Sequence, residues 1–139
     1  MTNLTTTAPD AQAMPRGLHW TGLGLTGFFV LFMAFDITIK LARMQAVNVA
    51  MTQLGYPLGL GFLIGALELI FVILYLVPRT AVLGAVLLTG IFGGAIASHL
   101  RIGSPVFTHD LFGVYLGLFM WGGLWPRDEK LRAVFPWRR

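Results

Sequence analysis

The chain has no cysteine among its 139 residues. Disulfides, thiol redox chemistry and thiolate metal sites are therefore excluded for this polypeptide by itself. Charge is scarce as well. Asp, Glu, Lys and Arg make up 12% of the chain, against roughly a quarter in an average soluble domain. Absent too are a nucleophile–base pair, a phosphate-binding glycine loop and a haem-attachment motif. Gly22-x-Gly24-x-x-Gly27 fits the dinucleotide pattern as text only, since it lies inside an apolar run with no preceding strand. The net charge of +4 does not point to nucleic acid, because the basic residues cluster beside apolar runs, as in membrane-flanking loops. No signal peptide is expected: Met1–Pro15 carries no basic residue before its apolar run, and no small-residue cleavage site follows that run.

What is present is apolar length. The mean hydropathy is +0.75, and four runs approach the roughly 20 helical residues needed to cross a hydrocarbon core of ~30 Å. The expected fold is an all-α, four-helix transmembrane bundle with antiparallel spans at about 18–40, 58–77, 81–100 and 106–125. Met1–Pro15, rich in Thr, Ala and Pro, is expected to be a disordered tail. Residues 127–139 are expected to form a basic amphipathic tail, with Leu131, Val134, Phe135 and Trp137 as interfacial anchors. Between the first two spans, Leu41–Pro57 is a polar connection, part of it a short amphipathic helix along the membrane surface. No internal repeat relates the two helix pairs. Orientation follows from Lys and Arg. One side holds Arg16, Arg79, Arg127, Lys130, Arg132, Arg138 and Arg139, and the other only Lys40, Arg43 and Arg101. This predicts both termini in the cytoplasm of a bacterial inner-membrane protein.

Glu68 lies near the middle of the second span. A charge at that depth costs about 2.5–3.5 kcal/mol on insertion scales, so it needs partners. Gly61 and Gly65 precede it by seven and three residues, on the same helix face. Small residues on one stripe let another helix approach closely, so Glu68 is expected to face the protein interior. The predicted topology brings Asp36, Lys40, His99, Arg101, His109 and Asp110 to the outer half, with Glu68 about 15 Å below the outer boundary at 1.5 Å per residue. Asp36 and Lys40, four apart with the acid first, form a favourable helical pair. The expectation is an outward-facing polar pocket with Glu68 at its floor.

Each residue also has a plainer explanation. Lys40 can snorkel to the headgroups, His99 and His109 can be ordinary interface residues, and a protonated Glu68 can clasp a backbone carbonyl between helices. If the group is a site, three chemistries fit it. Acid and imidazole groups can relay protons to or from a quinone head group, with Tyr115 and other aromatic residues lining the cavity. The same groups can bind a small polar or lipid-like ligand without reaction. His99, His109 and a carboxylate can hold a divalent metal, although their spacing matches no established ligand motif.

At these residues the chain resembles the DoxX-like family of small bacterial membrane proteins. The similarity runs from Phe35-Asp36-x-x-x-Lys40-Leu41 through Leu54-Gly55-Tyr56-Pro57 and Gly65-x-x-Glu68-Leu69 to Pro78-Arg79-Thr80. It continues in Leu83-Gly84-Ala85, in Gly94-Ala95-Ile96-Ala97-Ser98-His99-Leu100-Arg101 and in Gly103-Ser104-Pro105. Trp121-Gly122-Gly123-Leu124 and Arg127-Asp128-x-x-Leu131-Arg132 complete it. The resemblance implies a four-helix membrane fold and an association with respiratory and redox functions, since the family is named for a subunit linked to a terminal quinol oxidase complex. Related proteins are linked to quinone-coupled thiosulfate oxidation and to oxidative-stress complexes. No enzyme name follows, and no catalytic activity of the chain on its own is expected. The expected role is a membrane subunit or accessory component of a quinone-linked redox system. Its site residues are Asp36, Lys40, Glu68, His99, Arg101 and His109, with no metal. The only cofactor it suggests is a quinone, and the expected partners are the lipid bilayer and a redox protein or a second copy of the chain, not nucleic acid. The alternative is a non-redox module that binds or transports a small solute or lipid, or a membrane chaperone.

Overall fold

A computed structural model describes residues 15–105, 107–108 and 111–135. The tail expected over Met1–Pro15 therefore lies, but for Pro15, outside the described residues. So do Val106, His109, Asp110 and Pro136–Arg139. The described residues form six α-helices and no strand: α1 Arg16–Leu41, α2 Gln45–Gln53, α3 Leu60–Leu76, α4 Ala81–Arg101, α5 Phe112–Leu124 and α6 Glu129–Val134. A short 3-10 turn, Trp125–Arg127, joins the last two.

Four of these helices close into a ring in which α1 packs on α3 and α5, and α4 packs on the same two. Neighbours run antiparallel. Along α1 and α3, Lys40 meets Glu68 while Phe29 meets Tyr75. Along α1 and α5, Phe32 meets Phe112 while Phe28 meets Phe119. Each helix buries one stripe at helical spacing: Gly22, Thr26, Phe29, Met33 and Ile37 on α1, and Gly61, Gly65, Glu68, Val72 and Tyr75 on α3. Phe29, Tyr75, Leu88 and Met120, all at 0% exposure, form the centre of the core.

The outward faces are as apolar as the inward ones. Leu31 on α1 is 73% exposed and Leu118 on α5 is 67% exposed, and Leu63, Ile70, Leu83 and Val86 also point outward. Helices that are apolar all round belong in lipid, because a soluble protein rarely leaves so continuous an apolar surface in water. By length and composition, α1 and α4 are able to cross a membrane. α3 is apolar but has 17 residues, and α5 has 13. Both begin later than the sequence pattern predicts, at Leu60 and Phe112 instead of about 58 and 106. Before α3 the chain passes through Pro57 and Gly59, whose φ of 93° belongs to the left-handed region and fixes the helix start.

Two turns set the helix spacing. Arg43 takes a left-handed φ of 53° between α1 and α2, a conformation that costs a non-glycine residue about 1–2 kcal/mol. Its guanidinium lies 4.7 Å from the centre of the Phe62 ring, a cation–π contact that offsets part of that cost. Between α3 and α4 the turn at Pro78-Arg79-Thr80 is held by Thr80 Oγ1 donating to the Leu74 carbonyl at 2.8 Å. Just beyond it, a Cβ on Gly84 would collide with the backbone of Tyr75. The two helices touch main chain to main chain there.

Candidate functional site

The site grows from the crossing of α1 and α3. A Cβ on Gly65 would lie 2.7 Å from Lys40 Cβ, and one on Gly61 would lie 2.7 Å from the Val47 side chain of α2. The two small residues before Glu68 thus make room for the stem of Lys40 and for α2. Glu68 is 3% exposed. Lys40 Nζ donates to Glu68 Oε1 at 2.7 Å and Oε2 at 2.8 Å, and to Asp36 Oδ2 at 2.5 Å. Two carboxyl groups converge on one ammonium, with the side chains of Asp36 and Lys40 25% and 15% exposed. Burying such a group is tolerable only because each charge has its partner in reach.

This cluster sits at the head of a cavity of about 680 Å³, within the usual range for small-molecule sites. Asp36, Lys40 and Glu68 line it together with Tyr56, Ser98 and His99, and the rest of its wall is apolar. On α3 the wall is Leu60, Ile64 and Phe71, and on α4 it includes Leu87, Gly90, Ile91 and Gly94. Gly90 and Gly94 are exposed, and a Cβ on either would meet no atom within 4 Å. The cavity therefore reaches the outside of the ring along the middle of α4, and its rim also includes exposed Ala50 of α2.

The remaining predicted residues take different positions. His99 lines the cavity and its Nδ1 is 3.1 Å from Ser104 Oγ. Arg101 is not among the lining residues. Its Nη2 donates to the Leu54 carbonyl and its guanidinium lies 6.0 Å from the Tyr56 ring centre, so it ties the end of α4 to the α2–α3 connection. His109 lies outside the described residues. Tyr115, expected to line the cavity, instead lines a separate groove between α1 and α5 with Phe28, Phe32 and Phe119. Tyr56 and Ser98 enter the site unforeseen. Tyr56 Oη and Ser98 Oγ are 2.5 Å apart, and Ser98 Oγ donates to the Gly94 carbonyl at 2.8 Å. Their only sequence signals are a tyrosine set between Gly55 and Pro57 and a serine beside His99.

At the opposite end the ring is filled. Tyr75 Oη donates to the Met120 carbonyl at 2.8 Å, and the Arg127 guanidinium stands 5.6 Å from the Tyr75 ring centre. A Cβ on Gly123 would lie 2.5 Å from Thr26 Oγ1. Trp121 Nε1 donates to Thr89 Oγ1 at 3.0 Å and Trp125 Nε1 to the Phe135 carbonyl at 2.9 Å. Arg132 Nη1 donates to the Pro126 carbonyl at 2.7 Å, fastening α6 beneath the ring.

Compared with known proteins, residues 24–123 match the model of the DoxX-like family. No curated protein and no solved structure matches the chain. The match covers most of the chain, which therefore belongs to the DoxX-like family, and its apolar helices are those of a small membrane protein.

Proposed function

We propose, for this member of the DoxX-like family, a role as a membrane subunit or accessory component of a quinone-linked redox system, with its ligand site in the Lys40 end of the helix ring. In this reading α1, α3, α4 and α5 all cross the bacterial inner membrane, both termini lie in the cytoplasm, and the Lys40 end faces the outer leaflet. The apolar outward faces of all four helices support the crossing, and the uneven placement of Lys and Arg supports the orientation.

The observation that carries the reading is the shape and chemistry of the cavity. Carboxyl, ammonium, hydroxyl and imidazole groups line one part of it, and the rest of its wall is apolar and reaches the exposed Gly90 and Gly94 of α4. That arrangement suits an amphiphile dissolved in the bilayer, with a polar ring at Asp36, Lys40 and Glu68 and an apolar tail along the apolar wall. Lys40 fixes both carboxyl groups, so they can hold or pass a proton at a defined place. The quinone ring would supply the electron chemistry. The chain has no haem-attachment or flavin-binding motif, so electrons reach or leave the ring through a partner protein. Arg101 and the Tyr56–Ser98 pair act by holding α2 and α4 in place around the site.

The test is ligand titration of the full chain in lipid nanodiscs. A fully ring-substituted decyl-benzoquinone should bind saturably and raise the unfolding temperature, and Glu68→Gln should weaken that binding. Retained thermal response to phospholipid or solute with no response to quinone would displace this reading in favour of a non-redox binding or transport module. Purification from membranes should also bring down quinone or a redox protein carrying flavin, haem or copper.

A further inference from the structure

The direction of the hydrogen bonds around the cavity says more about its ligand than its size does. Lys40 has three ammonium hydrogens, and it makes three bonds, to Asp36 Oδ2 and to both oxygens of Glu68. Ser98 has one hydroxyl hydrogen, directed to the Gly94 carbonyl. The short Tyr56–Ser98 contact then takes the phenolic hydrogen of Tyr56. Three of the cavity's polar side chains thus have every donor engaged within the protein. Acceptors are in surplus. Each carboxylate oxygen offers about two lone-pair sites, whereas the single bond to Asp36 engages only Oδ2. Asp36 is also the more open of the two acids, at 25% side-chain exposure against 3% for Glu68. His99 is engaged within the protein as well, its Nδ1 3.1 Å from Ser104 Oγ.

From this the geometry points to a ligand whose head group donates hydrogen bonds, received by Asp36, in preference to one that only accepts them. Resting on the quinone reading above, the inference is that the site favours the reduced hydroxyl form, a quinol, over the oxidised carbonyl form. A quinol places an O–H against a carboxylate. A quinone carbonyl faces the same oxygen lone pairs and finds no spare hydrogen on Lys40, Tyr56 or Ser98. A hydrogen bond to a charged acceptor contributes about 1.5–3 kcal/mol, which corresponds to roughly tenfold or more in affinity.

The experiment measures equilibrium binding of three probes to the full chain in nanodiscs without oxygen: a fully ring-substituted decyl-benzoquinol, its oxidised quinone and decylamine. The expected result is at least about tenfold tighter binding of the quinol than of the quinone. Asp36→Asn, which places amide hydrogens where only acceptors stood, should abolish or invert that ratio, while Asp36→Glu keeps it. Equal or tighter binding of the quinone by the unaltered chain overturns the inference and leaves the quinone reading intact. Decylamine binding that depends on Asp36, with no quinol binding, upholds the donor rule and removes the quinone reading. Saturable binding of none of the three overturns both. Helical content of each variant, compared with the parent, separates loss of the site from loss of the fold.

Discussion

At the Trp125 end the glycines carry helix contacts, with Gly84 against the Tyr75 backbone and Gly123 against Thr26. At the Lys40 end, Gly90 and Gly94 on the same α4 face open space. Gly61 and Gly65 on α3 also carry close contacts at the Lys40 end, so what sets that end apart is α4, where Gly90 and Gly94 leave room beside the cavity instead of meeting a neighbour. The polar groups divide in the same way. Tyr75 and the indoles at the Trp125 end donate to neighbouring oxygens across packed helices, whereas Lys40, Glu68 and Asp36 gather on the wall of a cavity.

The comparison breaks most readily at Lys40. Lys40→Met leaves two carboxyl groups without their ammonium, a change that costs about 3–5 kcal/mol when a buried partner is removed. Unfolding in detergent should show that loss, and Lys40→Met combined with Glu68→Leu should recover most of it. If the single and double variants unfold alike, the cluster is not a coupled unit. Next in size is Gly84→Val, which drives a branched side chain into the α3 backbone and should cost about 3 kcal/mol or prevent assembly. A smaller effect is expected for Tyr75→Phe, about 1 kcal/mol for one buried hydrogen bond, with ligand binding unchanged. Smallest of all, Gly90→Ala should be neutral or stabilise α4 by up to about 1 kcal/mol, since the added methyl meets nothing and alanine favours helix. Equal penalties at Gly84 and Gly90 would erase the distinction between the two ends.

Much of the Lys40 end was legible in the chain. An acid deep in an apolar run, with Gly61 and Gly65 on its own face, already implied a close neighbour on that side. The four-residue spacing of Asp36 and Lys40 already implied a pair. That this pair meets Glu68 depends on the crossing of α1 and α3, and no local pattern encodes a crossing. Arg101 shows the limit clearly. Its place beside His99 suggested the pocket, yet its reach and position at the end of α4 carry it to the Leu54 carbonyl. Tyr56 and Ser98 are 42 residues apart, and Tyr75 lies 45 residues from its acceptor. These contacts follow from how four nearly all-apolar helices rotate against one another. Such helices have little polar patterning to reveal their inward face. The same lack of pattern put Tyr115 in the cavity by expectation and on the α1–α5 groove in the structure.

The chain's lack of cysteine makes the most direct test simple. Gly94→Cys at the cavity rim and Gly17→Cys near the opposite end give single thiols, whose labelling rates by a bilayer-soluble maleimide can be followed in nanodiscs. Saturating decyl-benzoquinol should slow labelling at residue 94 several-fold and leave residue 17 unchanged, and the protection should vanish in the Glu68→Gln background. Equal labelling rates at residue 94 with and without the ligand would contradict a ligand pocket at the Lys40 end.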